Sequence, residues 1–325
     1  MTIADRGLSL SDAQQAAVRE LHKKRPVYNL VALLFGAIWA AFAGFTLHVG
    51  GATKLLGIVT AGVFLHAIGT LTHERAHGSF FASPFLNRWV GFICGAPVLL
   101  SASAYRAYHL QHHRHERGAE DPDEFENATH SPRVLKVLLI LWLLAGAPFY
   151  LFYIPIVGYR RGTREARRAI LTEYLVMLCL VAAAVTLVPF PILLQVWIAP
   201  LVVVLVLAQV RGFTEHIFTA GDIPARSSRT ITSNWLVSFL MLNLNHHLDH
   251  HLYPGVPWYN LRRLHSVLGD ELRRLHAPVS GSYWAFLWEV AKTFPRKVPE
   301  PKHRPENGHY LHYMPVLPSV PPVGG

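Results

Sequence analysis

The sequence predicts an all-α integral membrane protein with four transmembrane helices, interfacial helices, and a histidine-rich cap on the cytoplasmic face. Three observations carry this. Of the 325 residues, 51% are hydrophobic and only 15% are charged, which is outside the proportions of a soluble domain. Several apolar runs lack Asp, Glu, Lys and Arg for long enough to cross a bilayer. Finally, the pattern His-x-x-His-His occurs twice, at His109, His112 and His113 and again at His247, His250 and His251. On a helix, positions i, i+3 and i+4 share one face. Each set therefore aims three imidazoles in one direction, and neutral imidazole is the commonest nitrogen ligand of transition metals. With 20 histidines in the chain, chance supplies roughly 0.07 such patterns.

The elements follow in order. Residues 1–26 form a polar lead ending in His22-Lys23-Lys24-Arg25. It is too polar for a cleaved signal peptide, and its basic end favours a cytoplasmic N-terminus. Val27 to Val49 is the first span. Leu55 to Thr72 is the second, and it returns His73 and His77 to the cytoplasmic side. Phe80 to Ser103 is interrupted by Gly and Pro and is read as re-entrant or interfacial. The acidic stretch Glu120-Asp121-Pro122-Asp123-Glu124 is a loop.

Val137 to Tyr159 is apolar and is followed by Arg160, Arg161, Arg164, Arg167 and Arg168, which place that loop in the cytoplasm. Tyr174 to Val210 is a long uncharged run broken at Val188-Pro189-Phe190-Pro191, so it reads as a hairpin of two spans. Histidines before and after this hairpin meet only if 137–159 does not cross. Pro148 and Pro155 also argue against a straight spanning helix there.

Trp235 to Leu244 is expected to be interfacial. Leu261, Leu264, Leu268, Leu272 and Leu275 keep helical spacing among Arg262, Arg263, Arg273 and Arg274, which predicts an amphipathic helix. From Pro295 onward the chain is Pro-rich and expected to be poorly ordered, with His303, His309 and His312 as bystanders. The domain division is thus 1–26, 27–294 and 295–325.

The net charge of +10 raises nucleic-acid binding. The arginines, however, cluster beside apolar runs, which points to anionic lipid headgroups and topology. Two cysteines, Cys94 and Cys179, give neither a disulfide framework nor a CxxC metal site.

Nine histidines fall at element ends or in cytoplasmic segments: His73, His77, His109, His112, His113, His216, His247, His250 and His251. One metal rarely takes more than six ligands, so nine imply two ions. Imidazole suits Zn, Cu, Fe and Ni. A polar centre approached through apolar helices suits a lipid substrate whose C–H bond is attacked with O2, which favours iron or copper over zinc.

The order His73-x-x-x-His77, His109-x-x-His112-His113, His247-x-x-His250-His251 resembles the integral-membrane fatty-acid desaturase and hydroxylase superfamily, which includes acyl-lipid desaturases and carotenoid hydroxylases. Asn245 to Pro254, with Pro257, is similar to the third histidine box of many members. The resemblance covers about residues 27 to 275. It implies a non-haem di-iron centre ligated by the three boxes and His216, with O2 as oxidant. It also implies electrons from a ferredoxin or cytochrome b5-type donor, and a cap that is a di-iron cap. One departure stands out. Members with a stearoyl-type site carry Asn four residues before the histidine equivalent to His216, and here that residue is Gly212. Water held by Glu215 is one way to fill the position.

Other readings compete. His73-Glu74-x-x-His77 matches the zinc-peptidase motif with Glu74 as base, but leaves both His-x-x-His-His clusters unexplained. A metal transporter wants ionisable groups inside its spans, which are nearly bare. His115 is a candidate further ligand. His246 lies off the ligand face and is read as structural, and His66 as packed within a span. Asp121, Asp123 and Asp249 are candidates to orient imidazole N–H groups. The expectation is an O2-dependent fatty-acyl desaturase of the cell inner membrane, with hydroxylation of a carotenoid or other lipid as the alternative.

Overall fold

The computed structural model describes residues 7–293 apart from Phe125, Glu126, Ala128 and His130. The Pro-rich stretch 295–325, with His303, His309 and His312, lies outside the described residues, as do residues 1–6 of the polar lead. The chain divides into two compact units. One takes Lys24–Leu110 and Gly146–Gln209; the other takes the lead through Lys23, Gln111–Ala145, and the chain from Val210 onward.

The first unit is built from apolar helices. After a 3-10 turn at Pro26–Leu30 come α2 (Val31–Phe45) and α3 (Gly51–His77), packed side by side. α4 (Pro84–Gly95) follows, then the start of α5 (Ala102–His115). The unit resumes with the second half of α6 (Pro132–Arg161) and continues through α7 (Arg164–Leu187), the short α8 (Phe190–Leu193), a π-helical segment (Leu194–Ile198) and most of α9 (Ala199–His216). α3 has 27 residues, about 40 Å at 1.5 Å per residue, so its last turns reach beyond a bilayer's hydrocarbon core. Close helix approach depends on glycine here. A Cβ at Gly62 would fall 2.5 Å from Val203 Cβ and 2.8 Å from the Pro200 carbonyl.

Among the described residues, five helices are long and apolar enough to cross a membrane: Pro26–Phe45, Gly51–His77, Arg133–Arg161, Arg164–Leu187 and Phe190–His216. α6 is the one added to the expected four. It is not a continuous helix, because Ala145 (φ −141°, ψ 15°) breaks it just before Pro148. The expected re-entrant stretch is bent: Pro84–Val98 and Ala102–His115 meet at 98°. Glu173 of α7 is buried at the start of α5. It accepts bonds from Ser101 Oγ (2.7 Å), Ser103 N (2.9 Å) and Ser103 Oγ (2.6 Å), satisfying orphan donors of that helix start.

The second unit carries α1 (Asp12–Leu21), the ends of α5 and α9, α10 (Trp235–Leu240), α11 (His247–Leu252), α12 (Leu261–Arg274) and α13 (Tyr283–Thr293). α12 is the predicted amphipathic helix. Its Leu261, Leu264, Leu268 and Leu272 share one core with Val18 and Leu21 of α1 and with Leu248 and Leu252 of α11. The all-α expectation needs one correction. Strands β1 (Thr230–Ile231) and β2 (Val279–Ser280) form a small parallel sheet, and Thr230 also bridges to His246. β-branched residues in a buried connection find backbone partners this way.

Candidate metal centre

In the first unit, α3 delivers His73 and His77 one turn apart and α5 delivers His109. His77 Nε2 lies 2.9 Å from His109 Nε2, and the three ring centroids stand 4.7 to 4.9 Å apart. Tyr105, one turn before His109, stacks on it at 4.9 Å. α3 stops at Gly78, whose φ of +69° is the left-handed termination that glycine adopts without steric cost. Gly78 N–H bonds the Arg75 carbonyl and Ser79 N–H bonds the Glu74 carbonyl. The Glu74 carboxylate accepts from Ser79 Oγ at 2.8 Å and lies 3.7 Å from His73 Nδ1. This environment holds a helix end and a neighbouring imidazole.

α5 continues into the second unit, where His112 and His113 belong. The donor atoms of His112, His216 and His251 lie within 4.8 Å of one another. His247 Nε2 is 2.9 Å from His216 Nε2 and 3.0 Å from His251 Nε2. His113 Nε2 is 3.1 Å from His250 Nε2, and its ring stacks on His251 at 4.1 Å.

The outer nitrogens face carboxylates. His112 Nδ1 is 2.9 Å from Asp121 Oδ1, and His251 Nδ1 is 2.9 Å from Glu116 Oε1. Glu116 Oε1 also lies 4.0 Å from His216 Nδ1. A neutral imidazole has one N–H and one lone pair. At His112, an Nδ1–H directed outward to Asp121 leaves the Nε2 lone pair facing inward, as a metal-bound histidine requires. The donor set therefore fits a metal. Burial opposes the charged form of Glu116, but His251 and His112 hold its carboxyl below the usual range. Asp121 is likewise lowered, His112 overriding its burial.

Two supports of this cluster matter. The end of α9, which carries His216, leaves carbonyls without helical partners. Thr219 Oγ1 bonds the His216 carbonyl, and the buried Arg229 guanidinium bonds those of Thr214 (3.0 Å), Ile217 (2.8 Å) and Phe218 (3.2 Å). Arg229 N–H takes the Glu215 carbonyl at 2.7 Å, and its guanidinium lies 4.2 Å from the Phe286 ring centroid. Burial lowers this guanidinium to about 9. A cation at a helix C-terminus also matches the macrodipole.

The second support is at α11. Leu242 and Asn243 both take positive φ before it. Asn245 Nδ2 bonds the Ile231 carbonyl at 2.6 Å, and Ile231 N–H bonds the Asn245 carbonyl at 2.7 Å.

All nine predicted ligands thus fall into two groups, His73, His77 and His109 in one unit and the other six in the second. His115 joins neither and pairs with Glu120 at 3.5 Å. His246 lies off the ligand face as expected, and His66 is buried within α3. Asp121 orients His112 as anticipated. Asp123 instead donates its N–H to Asp121 Oδ1, and Asp249 faces His265 and Thr230. At Gly212 an added Cβ would meet only Trp142 Cζ2 at 3.7 Å, an ordinary contact. Glu215 lies beside the cluster, with Oε2 3.6 Å from His247 Nε2 and Oε1 held by Arg211 at 2.6 Å. Sequence reasoning missed Glu116. It stands four residues after His112, at the same helical spacing as the ligands but past the end of α5.

Buried histidine clusters able to hold metal, in a chain with several long apolar helices, point to a class of membrane oxidoreductases. The fatty acid desaturase family model matches residues 50–283, and the chain belongs to that family. It is 23% identical over 265 residues to the sn-1 acyl-lipid omega-3 desaturase (ferredoxin) of Synechocystis sp., covering 70% of this chain and 71% of the relative. It is 27% identical over 206 residues to sphingolipid delta(4)-desaturase DES1 of Drosophila melanogaster, 60% of each chain. It is 23% identical over 236 residues to sphingolipid delta(4)-desaturase/C4-monooxygenase DES2 of Bos taurus, 69% of this chain and 68% of the relative. The protein is an oxidoreductase acting in lipid metabolism.

Proposed function

We propose that this enzyme desaturates fatty-acyl chains. Two hydrogens leave adjacent carbons, and O2 is reduced to two waters with two further electrons and two protons from outside. The observation that carries this is the inward-facing set of imidazoles with carboxylates on their outer nitrogens, in a chain of the desaturase family. The nine histidines are read as ligands of two iron ions. Iron, when bound, supplies O2 activation and hydrogen abstraction. The chain's own residues do the rest. Asp121 and Glu116 fix ring orientation, Arg229 fixes the helix end bearing His216, and Glu215 is placed to hold a water near His247.

Four helices are taken to cross the membrane within a domain spanning 27–294. α6 is the one that does not, and the support is its break at Ala145, its two prolines and the arginines that follow it. The site then faces the cytoplasm, and the host membrane is the cell inner membrane. The electron donor is of ferredoxin or cytochrome b5 type, in keeping with the printed name of the Synechocystis relative. Hydroxylation is the second reading, because the Bos taurus relative's name joins desaturase and monooxygenase. Family membership supports reading His73-Glu74-x-x-His77 as a desaturase box rather than a peptidase site.

The test is expression in hosts supplied with fatty acids or carotenoids, with lipid profiling by mass spectrometry and iron analysis. A new double bond supports desaturation, and an added oxygen moves the assignment to hydroxylation. A purified protein without iron, giving neither product, sinks both.

A further inference from the structure

A further cluster of metal-binding groups links the start of α11 to α12, and none of its members is a histidine assigned to iron. The donor atoms of His246, Asp249 and His265 lie within 4.8 Å of one another. Asp249 Oδ2 is 2.9 Å from His265 Nδ1, 3.8 Å from His246 Nδ1 and 2.8 Å from Thr230 Oγ1. His246 is 3% exposed and Asp249 is fully buried. Among the described residues, neither ring nitrogen of His246 has a hydrogen-bond partner, nor does Asp249 Oδ1. Groups left buried and unsatisfied in this way carry their full desolvation penalty, which a bound cation would offset.

We propose that His246, Asp249 and His265 bind a third metal ion, a divalent transition metal of the zinc type. Two imidazoles and one carboxylate are an established zinc set with a fourth position open to water. Donor atoms around one tetrahedral zinc stand about 3.4 Å apart, given bonds near 2.1 Å. The separations of 2.9 Å and 3.8 Å from Asp249 Oδ2 bracket that value. Thr230 holds the carboxylate from outside, as an outer partner of a metal ligand does. The His265 side chain, 22% exposed, gives the ion a route to solvent.

The ion would tie α11 to α12. His246 and Asp249 belong to the third histidine box, while His265 comes from the amphipathic helix. None of the three is an assigned iron ligand, so this site stands or falls apart from the iron reading.

The test uses the full-length enzyme purified in detergent without chelator, with zinc and iron per chain measured by plasma mass spectrometry. One equivalent of zinc is expected. His265→Gln, which keeps a donor toward Asp249 but removes the imidazole, is expected to lose that equivalent and leave iron unchanged. His246→Gln behaves alike. His112→Ala lowers iron and leaves zinc.

An extra equivalent of iron that His265→Gln removes supports the site with ferrous ion as occupant. Metal content equal in wild type and both variants overturns the proposal and leaves a hydrogen-bonded pair only. Zinc-edge X-ray absorption on the wild-type protein decides independently of how the variants fold. Two imidazoles plus oxygen near 2.0 Å support the site. An all-oxygen shell, or a protein without zinc or a third iron, overturns it.

Discussion

α5 and α11 carry the same His-x-x-His-His pattern, but α5 is 14 residues long and α11 only 6. Helices below about 12 residues are marginal in water without tertiary support. α5 places its ligands through its own hydrogen-bond ladder, and Glu173 secures its start. α11 is too short for its own ladder to suffice. It is held by the Asn245–Ile231 bonds, by Asp249, and by Leu248 and Leu252 in the core. The end of α9 resembles α11 in this respect, being completed by Arg229. The same ligand pattern can therefore be built from inside a helix or braced from outside.

Removing a ligand should erase the difference between the two motifs. His112→Ala and His250→Ala are each expected to lose bound iron and take product below detection, read by metal analysis and lipid mass spectrometry. Retention of both metal and product in either variant would refute the iron assignment.

Disturbing the braces should then separate the regions. Arg229→Met leaves the α9 carbonyls unsatisfied and should cost about 3 kcal/mol or more in stability, with iron lost alongside. Thermal unfolding in detergent reads this, and an unchanged midpoint would show that the brace is dispensable. On the self-supporting side, Asp121→Asn should lower iron affinity about 10–100-fold with little change in unfolding temperature.

The smallest effect concerns α12. Arg274 hydrogen-bonds Glu271 and holds its carboxyl below the usual range, and Ser9 N–H also donates to it. A depressed folded value stabilises above the unfolded value, about 4.3. That contribution is lost as pH falls through the folded value. Wild type should therefore destabilise more than Glu271→Gln as pH falls from about 5 to well below 4. Parallel unfolding curves would remove Glu271 from the bracing of the N-terminal lead.

Much of the architecture was legible because it rests on local rules. Charge-free runs marked the apolar helices, and the i, i+3, i+4 spacing marked six of the nine histidines, with His73 and His77 found as a pair one turn apart and His216 by its place after an apolar run. The leucine spacing of α12 gave its buried face. What escaped depends on long-range pairing. Glu173 finds Ser101 and Ser103 some seventy positions away, and nothing near any of them signals it. The β1–β2 pairing joins residues from opposite sides of the third box. Glu116 follows the ligand periodicity but lies beyond the helix end, where periodicity no longer argues. α6 is long and apolar enough for a span, and its break at Ala145 is a backbone feature that residue types alone did not mark.

Arg229 also bears on the order in which the protein matures. α9 can enter the membrane as soon as its apolar residues are made. Its final carbonyls find their partner only once residue 229 has emerged and folded back. The end of α9 is therefore completed by a residue thirteen positions beyond it and not by the helix's own sequence.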